Sequence, residues 1–186
     1  REYVATIAGT YHDNNPFHNF PHASHVGMSV SKLLSRIVAP DKDFEEHEQL
    51  HDHTYGITSD PLTQFACVFS ALNHDVDHPG VPNAQLTKEK AEIATTYDHK
   101  SVAEQNSINL SWNILTQPKY SDLRKAIGET QQEEERFRQL VVNAVCATDI
   151  IDKDLKTARN ERWEKAFKAS PSPESSEEFG SPTHRK

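Results

Sequence analysis

In "HASHVGMSVSKLLSRIV" the apolar positions Val26, Val30, Leu33, Leu34 and Ile37 recur three or four residues apart, and Pro40 ends the run. That spacing lines one face of an α-helix, with Pro21 suited to its first turn. His18, His22 and Val26 step by four, so His22 is expected on the buried side with the stripe. The next run, "DKDFEEHEQLHDHTYG", is acidic with few apolar residues and reads as a solvated loop, inserted over 42–58. A second helix restarts with Ser59 or Asp60 as N-cap and Pro61 in first position. From Leu62 to Leu72 it is apolar on almost every face, which marks it as central. His74 and Asp75 fall at its end, before Pro79-Gly80 stops it. Ser101 and Glu104 have capping-box spacing at the start of a third helix, which Pro118 closes. A fourth, "QEEERFRQLVVNAVCATDII", places Phe137, Leu140, Val141, Ala144, Val145 and Thr148 on one face. No stretch alternates like a sheet and no repeat is present. The fold class is all-α, with one domain over 1–169 and a Ser/Pro/Glu-rich disordered tail over 170–186.

Composition narrows the function. The net charge is −8 and the 20 Lys and Arg are scattered, which argues against a nucleic-acid partner. Hydrophobic content of 35% is low for a compact fold, so part of the chain is expected to be unpacked. Cys67 and Cys146 each sit in an apolar helical stretch and read as buried thiols in a reducing compartment. No apolar run is long enough for a membrane span and no signal peptide opens the chain. The expected location is therefore cytoplasmic, or the cytoplasmic side of a membrane-anchored parent. Arg1 in first position suggests a fragment of something longer.

The candidate chemistry is carried by histidines. "NPFHNFPHASH" holds His18, His22 and His25, and "HDVDH" places His74, Asp75, Asp77 and His78 at the end of the most buried helix. Ionisable groups in such a place are costly unless paired or metal-bound. Imidazole nitrogens with a carboxylate suit zinc, manganese or iron, with magnesium at an oxygen-rich second position. A capped, solvated helix end is the plainer reading of one His-Asp pair, but the upstream His18 and His22 tip the balance toward a metal. His47, His51 and His53 could form another site, yet their acidic surroundings favour a solvated loop.

"NPFHNFPHASHV", "LNHDVDHPGVPNAQL", "EIATTYDHKSVAEQ" and "VVNAVCATDI" together resemble, in order from about Tyr11 to Asp152, the catalytic domain of class I 3′,5′-cyclic-nucleotide phosphodiesterases. The loop before Ser59 is similar to algal and protist modules of that class, and the likeness covers the N-terminal part of the domain only. The resemblance implies a multi-helix, HD-type fold, C-terminally truncated here. It implies His18 as general acid and His22, His74 and Asp75 as metal ligands, with Asp75 bridging two ions, Zn²⁺ plus Mg²⁺ or Mn²⁺. His78 and Glu104 would stand behind them, and Phe17 and His18 beside the substrate phosphate. His25 is read as a helix-surface residue. Phe17 stands where the family usually has Tyr, and "AEQNS" (103–107) keeps Glu104 but loses two wall histidines. The family's last metal-binding Asp, its base-gripping Gln and its aromatic clamp have no counterpart in this chain. Asp149 aligns with a different Asp.

A cyclic phosphodiester repels an anionic nucleophile, and two ions meet that problem by acidifying a bridging water and clamping the phosphoryl group. The expected reaction is hydrolysis of cAMP or cGMP to a 5′-nucleoside monophosphate in signal transduction. The implied partner is thus a small-molecule cyclic nucleotide, with no membrane contact from this segment. Fusion to cyclase or regulatory domains in a longer protein fits the same likeness. Two other readings remain open: a different phosphohydrolase of the HD class, which does not require "HNFPH", and a non-catalytic or regulatory phosphodiesterase-like module.

Overall fold

Pro61 opens, and Asp60 caps, the helix on which the others are assembled. The computed structural model describes residues 1–39, 50–52 and 54–167. Its α-helices are α1 (Glu2–Ala8), α2 (Phe20–Val38), α3 (Pro61–Asn73), α4 (Asn83–Lys88), α5 (Glu92–Thr96), α6 (Val102–Leu115), α7 (Ser121–Ile127), α8 (Gln131–Cys146) and α9 (Lys153–Phe167). Short 3₁₀ turns occupy Ile57–Ser59 and Pro118–Tyr120, and no strand occurs among the described residues. The all-α expectation therefore holds. No helix among the described residues is long and apolar enough to cross a membrane.

Helix α3 is central, as its all-round apolar character predicts: α2 and α8 both lie along it. It buries Ala66, Phe69, Ser70, Ala71 and Asn73. Phe137 of α8 meets Phe69 edge-on at 5.2 Å between ring centres and stacks on Phe65 at 5.7 Å. Asp60 accepts from the Thr63 amide at 3.1 Å and holds Arg136 of α8 through both guanidinium nitrogens. Arg136 and the Thr63 bonds pull the Asp60 carboxyl down to about 2. On α8 the buried positions are Phe137, Val141 and Val145, one helical stripe. Leu140 and Ala144 are half-buried and Thr148 is exposed beyond the helix end.

Several expectations need correction. Helix α8 stops at Cys146 because the Asp149 carboxylate accepts from the Ile151 and Asp152 amides, both at 3.1 Å, turning the chain. Ser101 and Glu104 form no capping box. Ser101 is left-handed (φ 37°) and its hydroxyl donates to Asp149 at 2.8 Å, while Glu104 accepts from Asn83 at 2.8 Å. The capping box belongs to Thr130 and Glu133 of α8. On α2 the stripe is only partly covered: Ala23 is its buried residue and Leu33 is 59% exposed. Cys67 and Cys146 are half-buried rather than fully buried, and unbonded. Helices α1, α4, α5, α7 and α9 have no counterpart in the predicted elements. Of the loop histidines, His51 meets the Ser59 hydroxyl at 2.9 Å; His47, His53 and the tail from Ser170 lie outside the described residues.

Candidate functional site

Two asparagines set the first histidines in place. Asn19 is the N-cap of α2, accepting from the His22 amide at 3.0 Å, so His22 stands on the helix's first turn. Four residues earlier, buried Asn15 accepts from the Phe17 and His18 amides at 3.2 and 2.9 Å. Its amide nitrogen donates to the His78 carbonyl at 3.1 Å, tying the "NPFH" turn to the end of the "HDVDH" turn.

His74 and Asp75 follow α3 directly. Both His74 Nε2 and His22 Nε2 point at Asp75 Oδ2, at 3.1 and 3.5 Å. On the far side of its ring, His74 Nδ1 lies 3.0 Å from the Ala71 carbonyl, an acceptor that requires a proton there. In a neutral ring the Nε2 lone pair would then face a carboxylate, and either a second proton or a metal cation between them removes the conflict. The same logic explains the titration. Burial opposes a charge on His74, but the Asp75 hydrogen bond and charge outweigh it and raise the imidazole's pKa. Asp75 is lowered for the reciprocal reason, against the effect of its own burial. His22 is lowered by burial and by the neighbouring histidines, with Asp75 opposing.

The donor atoms of His22, His74 and Asp75 all lie within 4.8 Å of one another, and so do those of His18, Asp75 and His78. Asp75 belongs to both groups. Two imidazoles and a carboxylate at this spacing suit a divalent ion, with His74 oriented by a carbonyl behind it. His18 and His78 stack face to face, 3.7 Å between ring centres and 12° from parallel. Burial and the His18 charge push His78 down to about 4, and its Nδ1 accepts from the Gly80 amide at 3.0 Å. Phe17 is 59% exposed, with its ring 4.9 Å from that of His18 and 4.5 Å from that of His22.

Beside His18 and His78 opens a cleft of about 600 Å³, whose walls include Asn83, Ser101, Glu104 and Asp149. Burial raises the Glu104 carboxyl, aided by the charges of Asp149 and Asp75 and opposed by the Asn83 hydrogen bond. Asp149 is taken up by Ser101, Asn83 and two backbone amides.

The fold thus brings Phe17, His18, His22, His74, Asp75 and His78 together, with Glu104 on the cleft wall. His25 is exposed on α2. Sequence reading missed His12, Asn15, Asn19 and Asn83, and it named Asp77 without giving it a role. For Asn19 the signal was available, an Asn before Phe-Pro at a helix start; the others depend on contacts between distant segments.

Residues 17–177 match the 3′5′-cyclic nucleotide phosphodiesterase family. Over 160 residues the chain is 31% identical to 3′,5′-cyclic-AMP phosphodiesterase 4C of Rattus norvegicus, covering 83% of this chain and 26% of that protein. Over 152 residues it is 32% identical to a probable 3′,5′-cyclic-AMP phosphodiesterase of Caenorhabditis elegans, covering 79% and 20%. Among solved structures, the phosphodiesterase domain of the RhoPDE fusion protein from the choanoflagellate Salpingoeca rosetta superposes with a TM-score of 0.65 at 25% identity. That match covers 89% of this chain and 45% of the other. The chain therefore spans a fifth to a quarter of these curated relatives and under half of the solved domain. With most of its length inside the family match and both histidine motifs among the residues matched, the chain belongs to the 3′,5′-cyclic nucleotide phosphodiesterase family.

Proposed function

We propose that this chain carries the metal-ligand part of a site that hydrolyses a 3′,5′-cyclic nucleotide, cAMP or cGMP, to the 5′-monophosphate. The observation that supports this most is the sharing of one carboxylate, Asp75, between two histidine pairs. In this reading His22, His74 and Asp75 hold a zinc ion, and Asp75 also serves a second ion, magnesium or manganese. When bound, the ions supply an acidified water and neutralise the phosphoryl oxygens.

The chain's own residues do the rest. His18 faces the cleft and donates a proton to the leaving 3′ oxygen, a contribution of typically 10²–10⁴-fold for a placed general acid. His78, held neutral by burial, supports the His18 ring without adding a like charge beside it. Glu104 lies on the cleft wall to order solvent, and Phe17 offers an apolar edge beside the phosphate. The unbonded Cys67 and Cys146 suit a reducing compartment, so the site works in the cytoplasm or on the cytoplasmic side of a parent protein. Linkage to a cyclase or regulatory domain belongs to the same reading.

The test is hydrolysis of both cyclic nucleotides before chelation, after it, and after reloading with zinc plus magnesium or manganese. Activity that survives exhaustive chelation would overturn the metal assignment. A second reading, a non-catalytic phosphodiesterase-like module, is favoured by Asn106 and Ser107, which stand where the family carries two histidines of the active-site wall. Metal binding without hydrolysis of either nucleotide would support it.

A further inference from the structure

Four side-chain hydrogen bonds run from residues 3–15 to residues 72–78. The Tyr3 hydroxyl donates to Asn73 Oδ1 at 3.2 Å and the Tyr11 hydroxyl to the Leu72 carbonyl at 2.8 Å. His12 Nε2 lies 2.8 Å from Asp77 Oδ1, and Asn15 donates to the His78 carbonyl at 3.1 Å. Two of these anchors precede His74 and Asp75 and two follow them. The metal-ligand pair is thus suspended between points that the N-terminal segment holds.

The turn being held is strained. Asp77 has φ 58°, in the left-handed region, which Asp tolerates better than most non-glycine residues but which still carries a cost that its surroundings offset. Its carboxylate is gripped at both ends, by His12 on Oδ1 and by Asn106 Nδ2 on Oδ2 at 3.0 Å. Inside the turn, Val76 is fully buried and its carbonyl accepts from the Ser107 hydroxyl at 2.7 Å. The backbone bend between Asp75 and His78 is therefore fixed by α6 from one side and by the N-terminal segment from the other.

We propose that residues 3–15 act as a positioning strap for the metal ligands, with His12 as its decisive positioning residue. The inference rests on the reading that His22, His74 and Asp75 hold a divalent ion. Tyr3 and Tyr11 also belong to the apolar core, so removing them disturbs packing as well as position. His12 does not: it and Asp77 are 47% and 41% exposed, and an exposed pair adds little to global stability. What His12 contributes appears at the site instead. Loss of a partner behind a metal ligand typically costs about 10–100-fold in metal affinity. His12 acts one residue further out, through Asp77, which places its effect near the lower bound.

The experiment titrates zinc alone into the full 186-residue chain and records a thermal melt of each protein. The proteins are the parent, His12→Ala, His12→Gln, Tyr11→Phe and His22→Ala. Zinc affinity should fall about tenfold in His12→Ala while the melting temperature barely moves. In His12→Gln, whose amide can donate to Asp77 from the same place, affinity should largely return. Tyr11→Phe keeps the ring and loses only the bond to Leu72, so a smaller fall is expected. Parental affinity in His12→Ala, equal losses in the Ala and Gln variants, or losses that simply track melting temperature would each overturn the strap. His22→Ala separates the two readings. If it loses zinc and His12→Ala does not, only the strap fails; if neither loses zinc, the metal assignment fails with it.

Discussion

Asn15→Ala should cost more than any substitution of an exposed histidine in the site. The side chain is 7% exposed and makes three hydrogen bonds: it donates to the His78 carbonyl and accepts from the Phe17 and His18 amides. Alanine removes all three and leaves one carbonyl and two amides with no side-chain partner. At roughly 0.5–1.5 kcal/mol net for each bond, the loss sums to about 3 kcal/mol. Asn15→Asp divides that sum. A carboxylate still accepts from the two amides, with charge assistance, but sets an oxygen against the His78 carbonyl, so about 1 kcal/mol is expected. Urea unfolding at neutral pH reads both values as midpoint shifts at constant m. A loss below about 0.5 kcal/mol for Asn15→Ala, or equal losses for Ala and Asp, would refute this account of how the two turns are joined.

Other outcomes follow from the same structure. Arg136 and the Thr63 bonds hold the Asp60 carboxyl at about 2 in the fold against 3.8 ordinarily, so its contribution is present above pH 4, declines below that and is lost as the pH falls through 2. Asn caps a helix as well as Asp does, so Asp60→Asn keeps the cap to the Thr63 amide and tests the bonds of the second carboxylate oxygen, to Arg136 and to the Thr63 hydroxyl. It should cost about 1 kcal/mol at pH 7, with the half-exposed Arg136 discounted, progressively less below pH 4 and nothing well below pH 2; a deficit independent of pH would count against the ion pair. In a hydrolytically active protein, His18→Ala should lower turnover about 10²–10⁴-fold with bound metal unchanged. His22→Ala should lower both, and His25→Ala neither. Equal metal loss in the His18 and His22 variants would show that their roles have been divided wrongly.

The clustering of His22, His74 and Asp75 was legible because these residues follow strong local signals. His74 and Asp75 end the most apolar helix of the chain, and His22 is one turn into an amphipathic one. What surrounds them was not. Ser101 and Glu104 satisfy the spacing of a cap, yet their partners are Asp149 and Asn83, 48 and 21 residues away, and a local pattern cannot rank distant partners. Helix α1 has seven residues, too few for a repeating stripe, and its role rests on the burial of Tyr3 and Ile7. Helix α9 has the opposite problem: it is polar on most sides, with Trp163 66% exposed, so no face announces it. Leu33 shows that a correct period can still overstate burial, since α2 is covered on one flank only.

In the proposed reading Asp75 serves both ions, so the two cannot bind independently. An ion held with His22 and His74 would take up part of the carboxylate's charge, and a second ion on Asp75 would then meet a poorer ligand. By linkage, each ion weakens the other's binding by the same factor, whichever arrives first. Uptake should accordingly be stepwise, one tight ion followed by one weak ion, and removing the weak ion should leave the first more firmly held than before.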